Sequence, residues 1–261
     1  SSLFGWSRIP VLEGFVQMTS QSRPRISVVV PALNEESNLP WTLETIVGAS
    51  VEIIVVDGGS QDATAIIARK GGARVVDAPR GRAIQMNAGA REALGDILLF
   101  LHADSLLPPG AIDAACKAME DPQVLGGCFQ LRFDAEGESL ALYLYGLCTR
   151  LWLFRTPRLV YGDRGIFVRK STFEALGGYS EVPLLEDLDF AFRLSRFGGR
   201  RCFAFVPSSI VTSARRLLEV GPLRQQLLNI GVTFLWYVGV SPKTLRTWYD
   251  YNAPKKPALS K

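Results

Sequence analysis

Ile26-Ser-Val-Val-Val30 followed by Pro31-Ala-Leu-Asn-Glu-Glu36, and Val51-Glu-Ile-Ile-Val-Val56 followed by Asp57-Gly-Gly-Ser60, set the pattern from which the fold is read. Each is a short β-branched apolar run closed by a polar loop, as expected of a strand buried on both faces. Amphipathic stretches from about Asn38 to Ala49 and from about Asp62 to Lys70 predict helices after the two strands. Ala73 to Asp77 predicts a third strand, which leads through Pro79-Arg-Gly-Arg82 into a helix ending near Leu94. Asp96-Ile-Leu-Leu-Phe-Leu101 predicts a fourth, ending at His102-Ala-Asp104. Strands alternating with such helices predict an α/β fold with a Rossmann-like, mostly parallel central sheet and right-handed crossovers. Ligands bind at the carboxyl ends of strands in such sheets, so Asp57, Arg80, Arg82 and Asp104 are expected along one edge.

The second half is less regular. Val124 to Phe133, Gly165 to Val168 and Arg201 to Val206 predict strands, and Glu186 to Phe197 predicts a helix. Leu217 to Tyr237 reads as helical with a break near Pro222, and the last dozen residues read as a disordered tail. Residues 1–24 are irregular and read as an extension before the domain.

With 261 residues, 48% apolar and 21% charged, the chain has enough material for one large domain with a sizeable core. A net charge of +4 gives no reason to expect nucleic acid. Charge is concentrated, however: seven arginines lie between Arg193 and Arg224 against the single acid Glu219. Such a field suits a polyphosphate or an anionic membrane surface, or else a solvated helix face. Cys116, Cys128, Cys148 and Cys202 show no metal spacing and read as small buried hydrophobes in a reducing compartment. No secretory signal is read at the start, and the longest apolar run near the end, Ile230 to Val240, is far short of the roughly 20 residues of a membrane span. A cytoplasmic location is expected, with any membrane contact peripheral on the inner face.

Four short motifs carry chemistry. Pro31 to Glu36 and Asp57-Gly-Gly-Ser-Gln-Asp-Ala-Thr64 follow successive strands, where Asp57 can accept hydrogen bonds from a base or ribose. Turn and capping chemistry is the plainer alternative for both. At His102-Ala-Asp104, a carboxylate at a strand end suits a divalent cation on a diphosphate, which takes few protein ligands. His102, the only histidine, is either a ligand contact or structural. Leu185-Glu-Asp-Leu-Asp189 opens a predicted helix. One of the adjacent acids Glu186 and Asp187 can face a site and act as a base, although acids in a first turn also complement the helix dipole.

In this order the motifs resemble family 2 glycosyltransferases of the GT-A fold, from about Arg25 to Arg216. Pro31 to Glu36 is similar to the family's Pro-x-x-Asn-Glu loop, and Asp57 to Thr64 to its Asp-Asp-Gly-Ser-x-Asp-x-Thr box, with Gly58 replacing the second aspartate. His102-Ala-Asp104 stands where the family has Asp-x-Asp, and Glu186-Asp187 where it has its Glu-Asp acceptor motif. Arg80-Gly-Arg-Ala-x-Gln-Met-Asn87 and Thr212-Ser-Ala-Arg-Arg216 are similar to blocks of a bacterial subgroup.

The resemblance implies a GT-A domain over residues 25–216, a C-terminal helical segment over 217–250 and a tail over 251–261. It implies a UDP- or GDP-sugar donor bound by Pro31, Leu33, Glu35, Asp57, Arg80, Arg82, His102, Ala103 and Asp104. Manganese or magnesium would be held by Asp104, with His102 as a second candidate ligand. Asp187 would be the base of a single inverting displacement. Asp163, Glu186, Arg215 and Arg216 would line the acceptor side, with Asp163 bonding sugar hydroxyls or shaping a turn. The acceptor itself is open. The hydrophobic stretches Leu140 to Phe154 and Phe234 to Val240 predict either an interfacial or lipid-linked acceptor surface, or burial in the core or a homodimer.

Other classes fit less well. A nicotinamide dehydrogenase wants Gly-x-Gly-x-x-Gly after the first strand, where Pro31 to Glu36 stands. A sugar nucleotidyltransferase wants a glycine- and lysine-rich first loop, and two acids stand there instead. A catalytically inactive nucleotide-sugar-binding protein is the non-enzyme alternative.

Overall fold

The computed structural model describes residues 26–46, 51–135, 137, 140–150, 156–199, 201–214, 218 and 221–252. The expected N-terminal extension over 1–24, Arg215, Arg216 and nearly all of the expected tail lie outside the described residues. The first half follows the alternation: β1 Ile26–Ala32, α1 Leu39–Thr45, β2 Val51–Asp57, α2 Thr64–Lys70, β3 Arg74–Asp77, α3 Arg82–Glu92 and β4 Ile97–Phe100. The second half comprises β5 Ser105–Leu106, α4 Ala111–Ala118, β6 Gly126–Phe133, α5 Leu140–Arg150, β7 Ile166–Arg169, α6 Lys170–Ala175, α7 Glu186–Gly198 and β8 Phe203–Thr212. Two helices follow, α8 Pro222–Tyr237 and α9 Pro242–Asn252.

These strands form one 8-stranded sheet in the order β3-β2-β1-β4-β7-β6-β8-β5. Neighbours are parallel from β3 to β4; β7 then enters antiparallel between β4 and β6, and β6 pairs with β8 in parallel. Because successive strand side chains point to opposite faces, Val28 and Val30 join the layer under α1, α2 and α4. Val29 joins the layer under α3 and α7. Both faces of β1 and β4 are therefore covered by helices, which explains their unbroken apolar sequence.

Three features of the second half have physical causes. Strand β8 runs on to Thr212 despite Pro207, because its register with β6 shifts between Phe129 and Gln130 and skips the proline. The break expected near Pro222 is present: Leu218 is helical, Gly221 is not, and Pro222 opens α8, as the missing N–H allows at a first helical position. Helix α9, expected only as part of a helical segment, packs onto α8 through Leu245 and Tyr249.

Inside the sheet edge, Gln85 of α3 is buried and donates its Nε2 to the carbonyls of Ala32 and Val56, both at 2.9 Å. It clamps the ends of β1 and β2 where they open into their loops. Gln85→Leu removes both bonds, although the Ala32 carbonyl keeps the Gly58 N–H, and is expected to lower stability by about 1–3 kcal/mol in urea titration; an unchanged midpoint would show that the clamp contributes nothing.

Candidate active site

The carboxyl ends of β1, β2 and β3 are in register, with Ala32 beside Asp57 and Asp57 beside Asp77. The first two loops are bonded to each other. Glu35 N–H donates to Thr64 Oγ1 at 2.8 Å, Asn34 N–H to Ser60 Oγ at 2.9 Å, and Gln61 N–H to Asn34 Oδ1 at 2.8 Å. The Asp57 carboxylate, largely buried, accepts the Ser60 N–H and hydroxyl. Pro31, Leu33, Glu35 and Asp57 thus share one rigid edge. Arg80 follows β3 and is exposed.

Asp104 lies in the turn between β4 and β5. Thr42 of α1 donates its hydroxyl to the Ala103 carbonyl at 2.7 Å, and Ser105 pairs with Thr212 across β5 and β8. These contacts present His102 and Asp104 to a cavity of about 320 Å³ whose walls include Arg82, Tyr161, Asp163 and Asp187. The opposite wall comes from the C-terminal helices, through Gln225, Asn229 and Tyr249. Arg82, His102, Asp104, Asp163 and Asp187, spread over more than a hundred residues, therefore line one space.

Glu186 and Asp187 divide as adjacent helical residues must. Glu186, 2% exposed, turns away and forms an ion pair with Nε of Arg82. Asp187 faces the cavity and accepts the Gly162 N–H. A Cβ on Gly162 would come within 2.3 Å of Asp187 Oδ2, so only glycine lets the two approach. Leu185, just before the helix, takes a left-handed φ of 65°, a conformation a bulky residue adopts only when packing compels it. Its side chain is buried with Leu188, Val232, Leu245 and Tyr249.

Residues 27–176 match the sequence profile of Glycosyl transferase family 2. The chain belongs to this family. A Mycobacterium tuberculosis protein, itself described as uncharacterized, is 28% identical over 265 residues, spanning 89% of this chain and 82% of that one. The 4,4'-diaponeurosporenoate glycosyltransferase of Staphylococcus haemolyticus is 41% identical over 96 residues, only 33% of this chain and 25% of that enzyme. Among solved structures, glucosyl-3-phosphoglycerate synthase of M. tuberculosis, in complex with Mn2+, UDP and glucosyl-3-phosphoglycerate, aligns with a TM-score of 0.60 at 23% identity, covering 83% of this chain and 81% of that one. A mannosyltransferase of Pyrobaculum calidifontis, in complex with GDP-Man and Mn2+, aligns with a TM-score of 0.62 at 21% identity, covering 89% and 70%. These likenesses establish the GT-A fold.

In this glycosyltransferase, a Cβ at Gly58, where the family's box has its second aspartate, would lie 3.0 Å from Gln85 Nε2 and would need Gln85 to give way. The clamp on β1 and β2 occupies the space.

Charge in the cavity is unevenly balanced. Burial, reinforced by Glu186 and Asp163 and opposed by Arg82, pushes the Asp187 carboxyl up from 3.8 to about 7. Burial likewise pushes Asp163 up to about 6 against the pull of Arg164 and Arg82. Burial opposes the charge of Arg82, but Asp187, Glu186 and Asp163 outweigh it and raise its pKa further. His102 is pushed down to about 3 by burial and then by Arg82, so its imidazole is neutral, the form that ligates metals. His102 Nε2, Asp163 Oδ1 and Asp187 Oδ1 are buried without hydrogen-bond partners in the protein. Among the described residues no three acidic, histidine or cysteine groups cluster closely enough to hold an ion alone. The site therefore fits a cation that takes its remaining ligands from a bound diphosphate. Sequence reasoning missed Gln225, Asn229 and Tyr249, which lie beyond the family motifs and reach the site only through packing.

A carboxyl whose folded pKa is raised holds a proton that the unfolded chain has lost, so stability falls as pH rises from 3.8 to about 7 and does not recover above it. Asp187→Asn removes that loss. Its melting temperature is expected to exceed that of the wild type by more at about pH 8 than at about pH 5; an equal difference at the two values would contradict the buried, proton-holding carboxyl.

Proposed function

We propose that this protein transfers a sugar from a nucleoside-diphosphate sugar, with UDP or GDP as the nucleotide, to an acceptor hydroxyl with inversion at the anomeric carbon. The observation that carries this reading is the Asp187 carboxylate, which faces the cavity beside Gly162 while its neighbour Glu186 is engaged with Arg82. A group poised near neutral pH is suited to take the proton of an attacking hydroxyl. Displacement in one step needs one base on the acceptor side, and Asp187 supplies it.

The donor's nucleoside is assigned to the edge formed by Pro31, Leu33, Glu35 and Asp57, and its diphosphate to the turn at His102, Ala103 and Asp104. Arg82, with its side chain partly exposed at the cavity wall, places positive charge near the leaving diphosphate while pairing with Glu186. Arg80 is assigned to the phosphates from the exposed end of β3. Asp163, facing the same cavity, is assigned to sugar hydroxyls. Manganese or magnesium held by Asp104, with His102 beside it, would neutralise the leaving diphosphate. The two solved neighbours that carry Mn2+ with UDP or with GDP-Man support this choice of cofactor. Arg215 and Arg216 remain assigned to the acceptor side from sequence. An inactive sugar-nucleotide binder would have no use for the close fit between Gly162 and Asp187.

Calorimetric titration with UDP- and GDP-sugars, with and without manganese, tests the donor assignment. Binding of one nucleotide class, tightened by manganese, is the expected result; no binding in any condition contradicts it. Asp104→Ala is expected to abolish the manganese dependence of that binding, and an unchanged dependence would place the ligands elsewhere.

A further inference from the structure

Helix α8 turns Gln225, Leu228, Asn229, Val232 and Thr233 inward and leaves Leu223, Leu227 and Phe234 as an exposed outer stripe. The inward residues recur at spacings of three and four, which places them on one helical face. Hydrogen bonds fix this face toward both its ends. Thr233 and Tyr161 join their hydroxyls at 2.6 Å. Gln225 donates its Nε2 to Asn229 Oδ1 at 2.8 Å and to the Tyr249 hydroxyl of α9 at 2.9 Å. The Gln225 amide is therefore held in place, yet its Oε1 is buried with no hydrogen-bond partner in the protein. Gln225 is 4% exposed and lines the same cavity as Asp187. Leaving a buried amide oxygen unpaired is costly, so a fixed one at a cavity wall points to a partner supplied by the ligand.

The chemistry of the wall selects that partner. A hydroxyl both donates and accepts, so it satisfies the Gln225 amide whichever end of the amide faces the cavity. Asn229, Tyr249, Val232 and Leu188 line the same space and carry no charge. The lining arginines Arg82 and Arg246 are paired with Glu186 and Asp250, while Asp104, Asp163 and Asp187 also face the cavity. An anionic acceptor therefore gains little here, and an uncharged one avoids the repulsion of the acids. Asp187 is already assigned to the hydroxyl that attacks. The group at Gln225 is then a second hydroxyl of the same molecule.

We infer that Gln225, held by Asn229 and Tyr249, determines specificity for an uncharged acceptor with more than one hydroxyl, a sugar or polyol. One hydroxyl gives its proton to Asp187 as its oxygen bonds the anomeric carbon and the nucleoside diphosphate leaves; another bonds the Gln225 amide. The inference rests on the transferase reading. Its test is transfer, with manganese, from the sugar nucleotide that binds in calorimetry to glycerol, methyl glucoside and methyl mannoside, with propanol as the monohydric comparison. The wild type is expected to glycosylate at least one of the polyhydroxylated compounds and to prefer it to propanol. Gln225→Leu is expected to raise KM for that compound about tenfold, the loss of one hydrogen bond, with kcat changed far less and donor affinity retained. If Gln225→Leu does not melt cooperatively, Tyr249→Phe carries the test through the same KM, because it keeps the buried ring and removes only the anchor. Propanol accepted as well as the polyols, or a KM unmoved in the variant, overturns the inference. So does the absence of transfer to any polyhydroxylated compound while the donor still binds, which leaves the donor assignment standing. A donor that does not bind removes both.

Discussion

The ion pair between Arg82 and Glu186 joins the first residue of α3 to the first residue of α7, and the rest of the site depends on it. Glu186 is almost fully buried, and a buried carboxylate without its partner is strongly destabilising. Arg82 supplies that partner from the donor half of the chain, while the start of α7 adds the favourable end of its dipole. Asn87, further along α3, bonds the backbone of Tyr179 through both its oxygen and its nitrogen at 2.9 Å. Two points on one helix thus hold the segment leading into α7. With Glu186 turned toward Arg82, Asp187 has only the cavity to face.

That geometry also sets the electrostatics. Three acids, Asp163, Asp187 and Glu186, surround the charge of Arg82, so not all of them ionise cheaply once buried. Asp187 is the one that retains a proton to near neutrality, and it is the one aimed into the cavity. Excess negative charge of this kind, which costs stability, is what a divalent cation would offset.

The parallel half of the fold was legible because β1, β2 and β4 are buried on both faces and their helices follow at once; period and run length suffice there. Asp57, Asp104 and Asp187 could be placed at strand or helix ends for the same reason. Other features depend on long-range packing. That Glu186 rather than Asp187 takes Arg82 is decided across 104 positions in sequence. The tight approach of Gln85 to Gly58, and the far wall of the cavity from α8 and α9, whose residues match no motif, are both set by packing. The apolar surplus of α8 was visible in the sequence, but only the packing of Leu228 and Val232 shows that its outer stripe is not needed for the core.

The central claim is that Asp187 activates the group that attacks the donor's anomeric carbon. Donor hydrolysis, with water standing in for the acceptor, tests it without knowledge of the acceptor. Proton NMR of the sugar first released, for the wild type and for Asp187→Asn, reads both rate and configuration. The account predicts an inverted sugar from the wild type and a rate lower by about 10²-fold or more in the variant, with donor affinity retained. A retained configuration, or equal rates in the two proteins, would contradict it.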